Sequence, residues 1–532
     1  MNLRKIAITL LLCAGPISFT ASADAPNPMK EALMKAYGAL LAEDPHDAET
    51  LFRRANEYYL QNDYIKALDD INNALKYMPA DDPDTRLQAI QLRANINMML
   101  HRYEQAVGDL NSQLSLDPQN YVALYQRATA LYELGRYAEA KADFRQLQQI
   151  NPRSQEALFG LARVAVKENN LGLSNELCDK AVELSPSNSQ VYLRRASVRT
   201  LAGNDQGAVD DYIVAISTDQ ENTPRALREL VEISRTNYPV VIAGLSGAIR
   251  QAPRNGMYYF IRAMIAQGHC NYLSAIADYD RIINENLDSY PGLNAALAEC
   301  YYALGKFDTA LLNIDYAISA TRDNERYYVI KSQIQRALGD YDSALACAES
   351  ALEKDPNSNE ALIAKALAQL PLGNSADASV CLSEATMNAP EDPYLAIIRG
   401  WVLKDYRNQK KNADMSFERV LDMDFDHDQI KSYRGFSLLQ LDRKEEADRW
   451  IERVLATADD YDGEVNYLAA CYYAQSGNKE KALKCMAASL EKGYANYYNW
   501  TVNNEADVNV GPLRTEARFD SLLKQYASIF GR

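Results

Sequence analysis

Four histidines and three tryptophans are all that 532 residues contain. His46, His101, His269 and His427 lie far apart, and no Cys-x-x-Cys occurs, so the spacing of a zinc site is missing. There is no phosphate-cradling glycine loop, no dinucleotide fingerprint, no H-E-x-x-H and no G-x-S-x-G nucleophile elbow. Runs of positive charge are equally absent. Nothing exceeds pairs such as Arg53-Arg54 and Lys410-Lys411, and the net charge is −16. A chain of that balance lacks the basic stripe that replaces counterions on nucleic acid, and it is repelled by anionic membranes. After the first residues, no apolar run is long enough to span a bilayer. Glycine and proline are sparse, at 23 and 18, which suits helices joined by short turns. An enzyme, a cofactor and a metal all lack their usual residues here.

What is present begins at the N-terminus. Arg4 and Lys5 precede the apolar run Ile6 to Ala14, Gly15-Pro16 breaks it, and Ala21-Ser22-Ala23 supplies small residues before Asp24. That order is a secretory signal peptide with cleavage after Ala23. It predicts an exported chain, periplasmic or secreted. Leu11 and Leu12 are too bulky before Cys13 for a lipid-anchored cysteine. Seven cysteines then remain (Cys178, Cys270, Cys300, Cys347, Cys381, Cys471 and Cys485).

The rest is periodic. Pro118, Pro152 and Pro186 are 34 residues apart, and Pro356 and Pro390 repeat the step. Small residues keep the same phase at Ala128, Ala162 and Ala196, then at Ala298, Ser332 and Ala366. A second small set follows twelve residues behind, at Ala140, Ser174, Ala208, Ala310, Ala344 and Ala378. Between the sets stands Gly-x-aromatic, as in Gly135-Arg136-Tyr137, Gly305-Lys306-Phe307 and Gly339-Asp340-Tyr341. Small residues on consecutive helices let their axes approach, and the proline ends the second helix for want of an N–H. The clearest copy runs from Tyr121 to Pro152.

This pattern resembles the tetratricopeptide-repeat family. The resemblance implies an all-α, right-handed solenoid of about thirteen helical hairpins, with a closing module at its C-terminus like that of exported bacterial repeat proteins. The expected organisation is a signal peptide over 1–23, a capping helix over 24–47, and repeats over 48–221. A divergent repeat without the glycine turn, and with Pro239 in it, occupies 222–255. Repeats resume over 256–392, a second divergent copy with an irregular connection covers 393–427, repeats fill 428–494, and the closing module takes 495–532. Paired carboxylates such as Asp69-Asp70, Asp210-Asp211 and Asp459-Asp460 read as solvated charge on outer faces or turns. The acidic stretch Asp422 to Asp428 lacks the glycine and terminal glutamate of a calcium loop. Cys347 and Cys381 occupy one phase of adjacent repeats, too far apart for a disulfide. Most cysteines are expected as buried core thiols. Asp308-Thr309-Ala310, Asp342-Ser343-Ala344 and Asp520-Ser521-Leu522 resemble a glycosylation acceptor of secreted Bacteroidetes proteins, although an Asp opening a helix accounts for the first two.

In the family, the first helix of each hairpin lines a concave groove. Carried over by phase, that implies a wall of Phe52, Asn56 and Tyr59; Gln91, Asn95 and Met98; Tyr125, Thr129 and Tyr132; Phe159, Arg163 and Val166. Its central positions run Asn56, Asn95, Thr129, Arg163 and Ser197. Amides both donate and accept, so they suit the backbone of an extended chain, and aromatics cover apolar side chains at low entropic cost. The family's carboxylate clamp for acidic chaperone tails is absent, with Phe52, Leu92, Val122 and Gln126 where its cations and amides belong. The resemblance implies a non-enzymatic scaffold that binds a protein or peptide in the groove. The alternative is a structural subunit of an envelope assembly or polysaccharide-export machine, docking by its convex face and ends.

Overall fold

The computed structural model describes residues 28–79, 82–424, 428–502 and 509–532. The signal-peptide reading, and part of the Asp422–Asp428 stretch, lie outside the described residues. Among the described residues there is no strand, and helices follow one another from Pro28–Glu43 to Ala517–Gln525. None of them is long and apolar enough to cross a membrane.

Each hairpin is written locally. In the repeat Tyr121–Glu133 and Tyr137–Ile150, Asn120 accepts a hydrogen bond from the Ala123 N–H and so caps the first helix. Asp47, Ser154, Asn255, Ser358 and Asp392 do the same for their own helices. In the regular repeats the turn inside the hairpin bends through one left-handed residue at the same phase. It is Gly135, Gly203, Gly305, Gly339 or Gly373 in some repeats and Asn62, His101, Asn169 or Cys270 in others. Glycine takes that conformation without steric cost.

The two divergent repeats depart at this turn. Within Thr223–Gln251 the corresponding residue is Asn237, at φ −143° and ψ 57°, so two helical segments meet at a kink instead. Pro239 stands two residues later, where Tyr137 opens its helix in the regular repeat. A proline is tolerated at such a first helical position because that N–H needs no partner. In the second divergent repeat, Pro393–Trp401 runs into a π-helical turn, Val402–Tyr406. One extra residue is absorbed there as a wider turn, and the left-handed position shifts to Asn408.

Packing follows the two small sets. Ala128, Ala162, Ala196, Ala298, Ser332 and Ala366 are all buried, as are Ala140, Ser174, Ala208, Ala310, Ala344 and Ala378. Gly400 shows why size matters at this phase. A Cβ there would lie 2.4 Å from the Phe417 ring. The chain divides into two compact units. One comprises the described residues up to 233 together with 237–244, and the other 234–236 together with 245–532.

In the first unit, polar groups as well as apolar ones hold the hairpins. Arg127 reaches from the first helix to the second and donates two hydrogen bonds to Asp143, at 2.8 and 2.7 Å. Arg54–Asp70, Arg93–Asp109 and Arg195–Asp211 repeat that bidentate pair, always 16 residues apart. Such planar fork-to-fork contacts are the strong kind of ion pair. This corrects the reading of the acidic doublets as solvated charge. Asp69 and Asp210 are exposed, but Asp70 and Asp211 are buried against arginines, and Asp460 is buried too.

In the second unit, Arg262–Asp278 keeps the pair, at 2.7 and 2.6 Å. At the same phase Cys347 and Cys381 then replace the aspartate, and both thiols are free. Cys178 takes a core position in the first unit, and burial pushes its thiol up to about 12. The C-terminal residues pack on Lys479–Glu491 through Lys479–Glu516 and Arg518–Glu480. They also return to much earlier repeats. Tyr498 lies 4.5 Å from Tyr302 and 6.1 Å from Phe307. The Arg532 guanidinium stacks 3.9 Å from Tyr497 and donates to the Leu304 carbonyl, 228 residues away in sequence.

Candidate protein-binding wall

The first helices of the N-terminal hairpins carry the expected wall residues in unequal states of exposure. Asn56 is exposed on Ala48–Leu60. Phe52 and Tyr59 are half-buried beside it, packed against the core of the first repeat, and the Tyr59 ring lies 5.8 Å from Tyr64. Tyr125 is half-buried with its ring edge-on to Phe144 at 6.4 Å. The Thr129 hydroxyl donates to the Tyr125 carbonyl of its own helix at 2.9 Å.

Tyr132 and Phe159 are each only 5% or so exposed and belong to the cores of their repeats. Their phase turns them towards the neighbouring hairpin. Arg163 closes over Tyr132, its guanidinium 4.0 Å from the ring centroid, and pairs with Glu133 at 2.9 Å. Burial pushes the Tyr132 hydroxyl above its ordinary value, and Arg163 opposes that shift. Arg163 is therefore committed within the protein on two sides.

Asn95 is the centre of an arrangement that phase-matching did not anticipate. Gln91 Nε2 donates to Asn95 Oδ1 at 3.0 Å and to Gln126 Oε1 at 2.8 Å. Gln126 Nε2 donates to the same Asn95 oxygen at 2.7 Å. Three amides from two adjacent repeats thus fix one another's orientation. Gln126 was visible in the sequence only as a residue where the chaperone-tail clamp fails. The signal that finds it is the 35-residue step from Gln91, one repeat plus one residue. A planar amide offers two donors and an acceptor with two lone pairs. The triad therefore keeps unused valence, including the Asn95 N–H groups, on a part-exposed face.

The corresponding wall of the second unit is ionic. Glu299 stands at the phase of Thr129. It accepts from Arg326 at 2.6 Å and from Gln267 at 3.0 Å, and Gln267 in turn accepts from the Tyr279 hydroxyl. Glu325 accepts from the Ser358 hydroxyl. Burial raises the nearby Glu360 carboxyl to about 7, with Arg326 pulling it down and Glu325 and Glu299 pushing it up.

Stacked helical hairpins with capped termini, left-handed inner turns and small-residue seams define a helical-repeat protein. Tetratricopeptide-repeat family models match residues 125–214 and 335–401, so repeats of that type are present in both units. A bacterial transcriptional activator domain model matches residues 29–153. Among curated proteins, the chain is 28% identical over 195 residues to a DnaJ homolog subfamily C member 7 homolog of Dictyostelium discoideum, across 34% of this chain and 30% of that protein. It is 24% identical over 155 residues to the human mitochondrial import receptor subunit TOM70, across 28% of this chain and 25% of that one. The chain thus spans less than a third of the length of these relatives. Among solved structures, yeast Tom70 aligns over 75% of this chain and 95% of its own, at 17% identity and a TM-score of 0.36. A tetratricopeptide repeat protein from Parabacteroides merdae covers 54% and 98%, at 19% identity and a TM-score of 0.29.

Proposed function

We propose that this chain is a non-enzymatic scaffold that binds an extended segment of a partner protein along the first-helix wall of its N-terminal repeats. The observation that carries this reading is the Gln91–Asn95–Gln126 triad. Side chains held by one another lose little rotamer freedom on binding, and their remaining donors and acceptors suit a peptide backbone in any sequence. Asn56 extends the row by one repeat, and Phe52, Tyr59 and Tyr125 flank it with half-buried aromatic surface. A curated relative named as an import receptor subunit supports a partner-binding role. The chain works outside the cytoplasm in this proposal, cleaved after Ala23, so the N-terminal residue of the protein recovered from the native envelope or medium should be Asp24.

The test is a pull-down from the native envelope with partner identification by mass spectrometry, followed by titration of the identified partner. Losing one buried hydrogen bond costs about 1–3 kcal/mol, or roughly five- to 150-fold in affinity. Asn56→Ala combined with Asn95→Ala should weaken binding by that order while the fold persists. Wild-type affinity in this double variant would remove the wall as the binding site.

A further inference from the structure

The outer row of second helices in the second unit carries an exposed apolar register three repeats long. Leu312, Ala346 and Val380 are 34 residues apart and occupy one phase of the second helices of three consecutive hairpins, Phe307–Ala320, Tyr341–Lys354 and Ser375–Asn388. Leu312 is 55% exposed and Val380 64%, with Ala346 exposed between them. Tyr316, one turn beyond Leu312, is 57% exposed, and Met387, two turns beyond Val380, is 75% exposed. The same phase in the first unit carries Asp69, Gly108, Ala142, Glu176 and Asp210. Single exposed apolar residues are ordinary, whereas a register of them across adjacent repeats marks an interaction surface.

Charge around this row is mostly negative, with Lys306 and Arg322 exposed just beyond the two ends of Phe307–Ala320. Lys354 is the only Lys or Arg within the three helices, and it lies against Tyr328 and Asp323. Lys331 and Lys365, from the following first helices, are paired with Asp315 and Glu349. Asp308, Asp342, Glu353, Asp377 and Glu384 remain exposed beside the apolar row. A second copy of the chain would bring the same carboxylates against these, and like charges across an interface cost affinity.

We infer that this face docks an amphipathic helix of a partner protein, one with an apolar ridge flanked by Lys or Arg. The ridge would lie along Leu312, Ala346 and Val380, with Tyr316 and Met387 covering its sides, and its cations would meet the acidic rim. This surface is separate from the amide wall, so each can fail without the other.

The experiment uses the full chain and three probes: a designed 18-residue amphipathic helix with a leucine ridge and lysine flanks, its glutamate-flanked counterpart, and its alanine-ridge counterpart. Calorimetric titration should show saturable one-to-one binding of the leucine–lysine peptide alone. Leu312→Glu with Val380→Glu makes the chain more acidic, so unspecific attraction of a cationic peptide would rise. Specific docking should instead fall about ten-fold or more. Glu384→Lys with Asp377→Lys should weaken binding by reversing the rim, and Asn56→Ala with Asn95→Ala should leave it unchanged. Leu312, Val380, Asp377, Glu384 and Asn56 are exposed and Asn95 is half-buried, and the circular dichroism melt of each variant checks that it is folded. Equal or tighter binding by the Leu312/Val380 variant overturns the inference, as does equal binding of the glutamate-flanked probe. Sedimentation showing a wild-type dimer that the Leu312/Val380 variant dissolves would also overturn it, by making a second copy the occupant.

Discussion

The two units use one 34-residue frame and put their charge in different places. In the first, bidentate ionic pairs lie inside the hairpins, as Arg54–Asp70, Arg93–Asp109, Arg127–Asp143 and Arg195–Asp211, and the first-helix wall combines the Gln91–Asn95–Gln126 amides with the Arg163–Glu133 pair. In the second, Arg262–Asp278 keeps the internal pair while Cys347 and Cys381 later take the aspartate's place. There the wall carries Glu299, Arg326 and Glu360, and the outer row is apolar. The lesson is that the repeat fixes backbone and seam, while the positions left over are free to set the chemistry of each face. Stability in the first unit should therefore depend more on its ion pairs, and in the second more on its packed volumes.

The largest effect should come from breaking an internal pair. Asp143→Ala leaves Arg127 half-buried without its carboxylate, and removing one partner of a buried pair costs about 3–5 kcal/mol, less here because the guanidinium is partly exposed. Trp401, Trp450 and Trp500 all lie in the second unit. The substitution should shift the circular dichroism transition in urea while the tryptophan fluorescence transition stays in place. Equal shifts of both would mean that the chain unfolds as one body, and the comparison would lose its thermodynamic content. Repeat arrays, in which each hairpin touches mainly its neighbours, are expected to break such all-or-none behaviour.

Next comes the reciprocal case. Gly400→Ala drives a methyl into the Phe417 ring of the second unit. Overpacking of this kind costs about 1–3 kcal/mol, and here the fluorescence transition should move first. A fluorescence midpoint unchanged from wild type would show that the seam yields more easily than its geometry suggests.

A pH-dependent difference should separate the walls. The Glu360 carboxyl is raised from its ordinary 4.5 to about 7, chiefly by burial. A raised acid keeps its proton longer in the folded chain than in the unfolded one. Its contribution to stability is complete below about pH 4.5 and is lost as pH climbs through about 7. Glu360→Gln removes that loss, so the variant should gain on wild type in melting temperature between pH 5 and 8. A melting difference that stays flat with pH would show that Glu360 is ionised throughout.

The smallest effect belongs to the amide wall. Asn56→Ala changes an exposed side chain and should move stability by no more than about 0.5 kcal/mol. Asn95→Ala removes an acceptor shared by Gln91 and Gln126, so its melt should fall slightly further. If the two variants melt alike, the triad contributes nothing to ordering the wall.

Much of this was legible beforehand, because seam and turn are local. The small residues at Ala128 and Ala140 announce close helix approach, and Gly135 announces a left-handed bend, whatever surrounds them. The arginine–aspartate pairs were equally open to reading, since Arg and Asp recur 16 residues apart in register with the repeat. The doublets Asp69-Asp70 and Asp210-Asp211 each join an exposed carboxylate to a buried one, and only the 16-residue step to an arginine distinguishes the two. The wall was harder. Phase alone put Tyr132 and Phe159 on it, but a large ring at a helix edge buries itself against the next hairpin when space allows. The amide triad required knowing that two repeats set Gln91 and Gln126 within hydrogen-bonding distance.

By itself, then, the sequence determined the helical hairpin, its length, its caps and the residues at its seam. Each of these follows from backbone sterics and from hydrogen bonds made within a few residues. Only the tertiary structure decided which polar groups met. The return of Tyr498 to Tyr302, and of Arg532 to the Leu304 carbonyl 228 residues before it, depends on small rotations that accumulate from repeat to repeat. No single repeat encodes that sum. The position of Arg163 over Tyr132, and the orientation of Asn95 by its two glutamine neighbours, depend likewise on how one hairpin sits against the next.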